Sequence, residues 1–535
     1  MPPLWTIWTS PASLRVLQVP QTPKVQPDGM LRPAWREMVR IVSASVQGID
    51  RPLTANTTSE AMSALAGIYH RQATAPEILD WIAAAEREAL NDDQSAALRE
   101  FKREHTNLIC LPPEFVERKT KARLRSEQLW RDLRAKNDWL GFLPALEGVI
   151  ALVREEAALR ANALGLDPYD ALIEQYDPGH RAADIATVFD DLKSFLVGFV
   201  PEALAAQEAR LAKAPLRPLS GVYPVNRQRE LGLAMMAAIG FDFSHGGLSV
   251  SHHPFCGGVP TDVRITTRYK TSDFLPALMG VLHETGHALY EQNLPKQWSH
   301  WPLGKARGMA MHESQSLFVE KQLGRNPSFW TWALPLVERH LGENWTRDEI
   351  LAHAQRVEPG LIRVDADEVT YPLHVILRFE LERDLLAGRL NAVDLPEAWD
   401  VKMREYLGLS TIDTPQDGPM QDVHWPSGLF GYFPSYTLGA MMAAQQWAAL
   451  KKGRRSIDDD IAHGRFEAIA DWRRENIWSL GSRYPTPELM RRATGEALGR
   501  VRRAAPGDPL RRRPCVGDRS RDLRAGPVAR CHRRP

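Results

Sequence analysis

The chain has 535 residues, 44% apolar and 25% charged, proportions of a soluble globular protein. It holds no run of 18 or more apolar residues to span a membrane, and residues 1–10 lack the basic and apolar regions of a signal peptide. Four scattered cysteines exclude a disulfide framework, so a cytoplasmic protein is expected. The net charge of +1 conceals an asymmetry. From Arg500 onward twelve Arg face three Asp, and removing that tail from 67 basic and 66 acidic residues leaves 55 and 63, a net of −8. The body is mildly acidic, and neither nucleic acid nor membrane is expected as a partner.

Residues 1–52 carry many prolines and glycines and little periodicity; 38–46 can form one short helical turn or strand, and no structure is assigned to the rest. From Thr57 a succession of helical patterns begins, with apolar residues three and four apart over 76–88, 94–102, 113–136, 140–163, 181–200 and 201–213. Residues 241–255 read as turns and short strands, and 262–269 as one strand. Together they predict a small antiparallel sheet. Helical patterns resume over 272–295, 305–323, 328–341, 347–357, 373–387, 395–407, 436–452, 457–463 and 466–477. The fold class is mainly α with one small sheet.

The helix over 272–295 carries His283-Glu284-Thr285-Gly286-His287, an H-E-x-x-H motif. Ser272 or Asp273 can cap its start, Pro276 falls in the first turn, and Pro295 enforces a stop. Imidazoles four residues apart lie one above the other on a helix face, so both can reach a single Zn²⁺. Glu284, one residue off that face, can reach a water on the metal without occupying a coordination position. A catalytic zinc needs a third protein ligand and an open position. Glu313, an acid among Met309, Met311, Leu317 and Phe318, is costly to bury without a partner, and a metal is such a partner. A salt bridge across a helix pair is the alternative.

The order of short blocks around this helix carries a resemblance: His252-His253-Pro254-Phe255, Asp262-Val263-Arg264-Ile265-Thr266, the H-E-x-x-H motif, His312-Glu313-Ser314-Gln315, Ile362-Arg363-Val364-Asp365-Ala366-Asp367, and Gly418 to Trp425. From about Thr57 to about Gly495 the chain resembles the Taq-type metallocarboxypeptidases, peptidase family M32. The resemblance implies a large helical, gluzincin-like peptidase with a deep central groove beside the sheet. It also implies a homodimer that uses Zn²⁺ or Co²⁺ to remove single C-terminal residues with broad specificity. Carried over by motif, His283, His287 and Glu313 are the metal ligands and Glu284 is the general base.

Further roles follow from what such a reaction requires. Donors for the tetrahedral oxyanion are sought in residues 422–436, with His424 first and Tyr436 ahead of Tyr432; packing of a Gly-rich turn is the competing role for the tyrosines. A substrate carboxylate calls for a guanidinium fork. Arg363 is the first candidate and Arg264 the second, with an Arg264–Asp262 ion pair as the alternative. His253, beside Pro254, shapes a pocket wall or only a turn. Glu291 and Asp367 are candidates to orient the zinc-binding histidines, and His312 is expected to neighbour the site without ligating.

Both ends depart from the resemblance, which divides the chain into an atypical segment 1–52, a catalytic domain 53–498 and an Arg/Pro-rich tail 499–535. Aperiodic Arg-, Pro- and Gly-rich text is what a shifted reading frame of a GC-rich gene produces, and frameshifts near 52 and 498 are expected. A basic arm is the rival reading of the tail. The rival functions are a metallo-endopeptidase or dipeptidase, and an inactive metal-binding relative.

Overall fold

The computed structural model describes residues 67–219, 221–251, 254–342 and 344–499. The expected atypical segments 1–52 and 499–535, Gly499 apart, and the candidate His253 lie outside these residues. After a helical stretch over 67–73, the first half runs α1 (Glu77–Ala85), α2 (Asp92–Ile109), α3 (Pro113–Arg134), α4 (Trp139–Leu164), α5 (Pro168–Tyr176), α6 (Ala182–Lys213) and α7 (Val225–Ala238). A three-stranded sheet follows: β1 (Gly246–Val250), β2 (Phe255–Val259) and β3 (Asp262–Thr267). The second half holds α8 (Leu275–Gln292) and α9 (Met309–Leu317), the latter running on as a π-helical segment, Phe318–Leu323. Then come α10 (Pro327–Leu341), α11 (Arg347–Ala354), α12 (Tyr371–Leu386), α13 (Leu395–Leu407), α14 (Pro434–Gly453), α15 (Ile457–Ala462), α16 (Glu467–Asn476) and α17 (Thr486–Thr494).

The mainly helical class is as expected, and three details differ from the sequence reading. The expected helices 181–200 and 201–213 are one helix, Ala182–Lys213. Pro201 is exposed, so the carbonyl it leaves without a donor can turn to water and the helix continues. The short helices α5, α7 and α17 escaped the periodicity reading, because nine to fourteen residues give an apolar stripe few repeats. The sheet is mixed where an antiparallel one was expected. Its strand order is β1-β3-β2, with β2 antiparallel and β1 parallel to β3. The chain reverses after β1 into β2 at the far edge, and β3 inserts between them. The first and third strands run in the same direction, and insertion makes them hydrogen-bonded neighbours, whereas a simple meander would keep them apart.

One contiguous apolar core joins the helices, including Phe142, Phe189, Leu278, Phe318, Trp330, Phe379 and Trp399. A smaller core clamps the sheet to α8 through Leu248, Val263, Ile265, Val281 and Ala288. Strand alternation puts Val263 and Ile265 against α8 and leaves Arg264 on the opposite, exposed face. No helix among the described residues is long and apolar enough to cross a membrane.

Candidate metal centre and active site

Helix α8 starts at Leu275 with Phe274 at its N-cap, two to three residues inside the expected 272–295 span. Asp273 Oδ1 accepts the Leu275 N–H at 3.0 Å, and Pro276 lies in the first turn. The helix is buried on nearly all sides, including Glu284, Thr285 and Gly286. Helix α9 lies between α8 and α14, and glycines permit the close approach on both sides. A Cβ on Gly286 would collide with the Gln315 carbonyl and Ser316, and one on Gly439 would stand 2.7 Å from the Glu313 Cβ. Packing of two bare helix surfaces against α9 thus holds Glu313 opposite the two α8 histidines.

His283, His287 and Glu313 offer ligand atoms that all lie within 4.8 Å of one another. His283 Nε2 is 3.8 Å from Glu313 Oε1, and His287 Nε2 is 3.6 Å from Glu313 Oε2. The other ring nitrogens are engaged elsewhere. His283 Nδ1 donates to Glu320 Oε2 at 2.8 Å. His287 Nδ1 lies 2.6 Å from His312 Nδ1, and His312 Nε2 lies 2.8 Å from Glu291 Oε1. A carboxylate only accepts, so His312 Nε2 carries its proton, His312 Nδ1 accepts, and His287 Nδ1 donates. Both α8 imidazoles therefore turn Nε2, the nitrogen left to bind a metal, towards Glu313. Two imidazole nitrogens and one carboxylate, with the outer nitrogens anchored, are a donor set that fits a divalent ion of the zinc type.

The electrostatics also favour a cation. Burial pushes the Glu284 carboxyl up to about 7, His283 opposing and the Glu313 and Glu320 carboxylates reinforcing the shift. Burial likewise raises Glu313. Burial alone would depress His283, but the Glu320 hydrogen bond and the Glu313 and Glu284 carboxylates lift it to about 9. Glu320 resists its own burial because Lys321 and His283 hold it ionised. No described residue donates a hydrogen bond to Glu284.

A second cluster gathers on α12, α14, the short 3-10 turn Arg363–Asp365 before α12, and the loop between α13 and α14. His424 Nε2 lies 3.0 Å from the Tyr436 hydroxyl, and burial holds the imidazole neutral. Asp422 sits between two guanidiniums: Arg363 Nη2 at 2.7 Å and Arg378 Nε at 2.7 Å. Arg363 Nη1 donates to the Tyr371 hydroxyl at 3.0 Å, and the guanidinium stands 4.7 Å from the Tyr436 ring centroid. Tyr432 packs edge-on against Tyr436 at 5.4 Å, and the acidity of both phenols is suppressed by burial and by the Glu313 carboxylate. Both phenols are thus within reach of the Glu313 charge.

Several expected residues stand elsewhere or do other work. Arg264 does not join the cluster: its side chain is 62% exposed and pairs with Asp262 at 2.7 Å, the alternative weighed from the sequence. Arg363 is buried beside the cluster, but its fork is already occupied by Asp422 and Tyr371, so it offers no free fork to a substrate carboxylate. Asp367 orients no histidine; it accepts from Glu358, Val369 and Thr370 and shapes the turn into α12. Glu291 reaches His287 only through His312. Glu320 was missed, although its sequence signal is legible: an acid seven residues after Glu313 lies two turns on, along the same helical face.

A family model for Carboxypeptidase Taq (M32) metallopeptidases matches residues 51–501. The chain is 40% identical over 453 residues to thermostable carboxypeptidase 1 of Thermus thermophilus, covering 82% of this chain and 87% of that one. Its fold is similar to metallocarboxypeptidase 1 of Trypanosoma cruzi, with a TM-score of 0.82, 42% identity, and coverage of 87% and 95% of the two chains. It is also similar to the M32 carboxypeptidase of Deinococcus radiodurans, with a TM-score of 0.80, 33% identity, and coverage of 88% and 96%. The chain belongs to the M32 family and is a metallocarboxypeptidase, a peptide hydrolase.

Proposed function

We propose that the protein removes single residues from the free C-termini of peptides, with broad specificity. His283, His287 and Glu313 would hold Zn²⁺, for which Co²⁺ can substitute, and Glu284 would act as general base. The observation that carries this reading is the anchoring of both outer imidazole nitrogens, which turns two Nε2 atoms and the Glu313 carboxylate onto one point. When bound, a divalent ion supplies Lewis-acid polarisation of the peptide carbonyl and a lowered water pKa.

The chain's own residues do the rest. Glu284, lifted to about 7 by burial, is matched to taking a proton from the attacking water near neutral pH and returning it to the leaving amine. Asp422 is saturated by Arg363 and Arg378 and stands 4.0 Å from His424 Nδ1, too far to fix a proton there. The His424 proton then sits on Nε2 and is donated to the Tyr436 oxygen, which frees the Tyr436 hydroxyl proton for a developing oxyanion. Arg363 beneath the Tyr436 ring holds that phenol in place. Tyr432 forms part of the adjoining wall. The sparse, scattered cysteines support a cytoplasmic setting, and the family resemblance supports a homodimer.

The test is digestion of one peptide with a free and with an amidated C-terminus, before and after chelation. Stepwise release of terminal residues from the free form alone, abolished by chelator and restored by Zn²⁺, is expected. Equal internal cleavage of the amidated peptide would establish an endopeptidase instead.

A further inference from the structure

Arg473, on α16, is buried to 1% exposure, and no described carboxylate pairs with it. Burying a guanidinium is costly, and neutral acceptors and aromatic faces repay little of that cost. Arg473 has both, and among the described residues its side-chain hydrogen bonds all end on one residue. Nε donates to Gln315 Oε1 at 3.0 Å and Nη2 donates to the Gln315 backbone carbonyl at 2.9 Å. The guanidinium stands 4.8 Å from the Phe318 ring and 4.7 Å from Trp478. Trp478 Nε1 donates to the same Gln315 Oε1 at 2.9 Å, and Gln315 Nε2 donates to Gln446 on α14 at 3.1 Å.

Gln315 is two residues beyond Glu313, and its carbonyl is the group that meets the bare Cα of Gly286, the residue before His287. One carbonyl therefore touches the H-E-x-x-H helix on one side and is gripped by a two-point cation on the other. The grip falls where α9 passes into the π-helical Phe318–Leu323 segment that carries Glu320, the partner of His283. Wide turns of this kind lack the tight ladder of an α-helix and need outside support to keep one geometry.

We propose that Arg473, acting through Gln315, is a positioning residue for the metal centre: it fixes the spacing of α8 and α9 and so the distance from His283 and His287 to Glu313. This rests on reading those three residues as the metal centre. The fork matters as much as the charge, so lysine cannot replace it.

The experiment measures Zn²⁺ affinity by competition with a chromophoric chelator, the visible spectrum of the Co²⁺ form, and the melting temperature of the metal-free protein. The chains compared are the wild type, Arg473→Gln, Arg473→Lys, Gly286→Ala and a core control on α4, Phe142→Leu. Arg473→Gln and Arg473→Lys are expected to weaken Zn²⁺ binding by roughly 10- to 100-fold and to shift the Co²⁺ bands, the range seen when supports of metal ligands are removed. Gly286→Ala forces the same two helices apart from the other side and is expected to give the same signature, so the test survives if an Arg473 variant fails to fold. Phe142→Leu is expected to lower the melting temperature with Zn²⁺ affinity unchanged.

Charge alone predicts the opposite sign, because removing a buried cation near the site would tighten binding of a divalent ion. Unchanged or tighter Zn²⁺ binding and an unchanged Co²⁺ spectrum in the Arg473 variants overturn the inference. A wild type that binds no Zn²⁺ overturns the metal centre itself, and this inference with it.

Discussion

His287 shares a 2.6 Å hydrogen bond with His312, and that bond decides which nitrogen of His287 faces Glu313. The direction of the bond is set one residue further on, where Glu291 accepts from the far side of His312 at 2.8 Å. Replacing His312 by Phe keeps the ring volume but leaves the His287 Nδ1 proton without an acceptor in a buried setting, and frees the ring to turn. Metal affinity is expected to fall by about 10- to 100-fold, as it does when partners of ligating histidines are lost. Glu291→Gln keeps an acceptor oxygen and should cost less. Competition titration with a chelator measures both, and equal affinity in the His312→Phe chain would remove the relay from the design of the site.

Glu284 is placed to act on a proton without holding the metal. It lies on α8 between the two histidines and is 6% exposed, with no donor among the described residues, and burial holds its carboxyl at about 7. Glu284→Gln is nearly isosteric and deletes only the capacity to take a proton. The expected outcome is a loss of about 10²–10⁴-fold in kcat with bound Zn²⁺ at wild-type stoichiometry. Loss of both activity and metal would make Glu284 a ligand or a structural support.

The helical class and the α8 motif were legible because both rest on local spacing: apolar residues three and four apart, and His283 and His287 one turn apart. Glu313 was legible because an acid among Met and Leu needs a partner. The partnerships that tune the site were not. His312 and His287 are 25 residues apart, Arg363 and Asp422 are 59 apart, and Arg473 and Gln315 are 158 apart. Spacing along the chain carries no record of such pairings. Arg363 shows the consequence: its residue type suits a substrate carboxylate, but only the fold reveals that Asp422 already fills its fork. Mixed pairing in the sheet was hidden for the same reason, since strand order is a tertiary property.

Asp422 neutralises two buried guanidiniums at once, with Arg363 3% and Arg378 0% exposed. Asp422→Asn preserves the shape and removes the charge, so two cations are left facing each other in a dry site. Breaking a buried pair from one side costs about 3–5 kcal/mol, and a loss of at least that size is expected in urea unfolding of the metal-free protein. Arg363 also supports the Tyr436 ring, so kcat should fall as well. A variant within about 1 kcal/mol of wild type would show that solvent reaches the pair and screens it.

His374, on α12, is fully buried, and burial together with the Arg378 and Arg363 guanidiniums pushes its imidazole down to about 3. In the unfolded chain the same group titrates near 6.5. Between these values the unfolded state binds the extra proton, so this residue's contribution to stability is complete above pH 6.5 and is lost as the pH falls towards 3. The limiting slope for one proton is about 1.4 kcal/mol per pH unit. His374→Leu removes the titration while keeping a buried side chain of similar bulk. The difference in unfolding free energy between wild type and His374→Leu, followed from pH 7.5 to 4.5 in the metal-free proteins, is expected to be flat above pH 6.5. Below it, the difference should move in favour of the variant. Other groups that titrate alike in both chains cancel in that difference, so a constant value down to pH 4.5 would mean that His374 takes up its proton as readily inside the fold as in the unfolded chain.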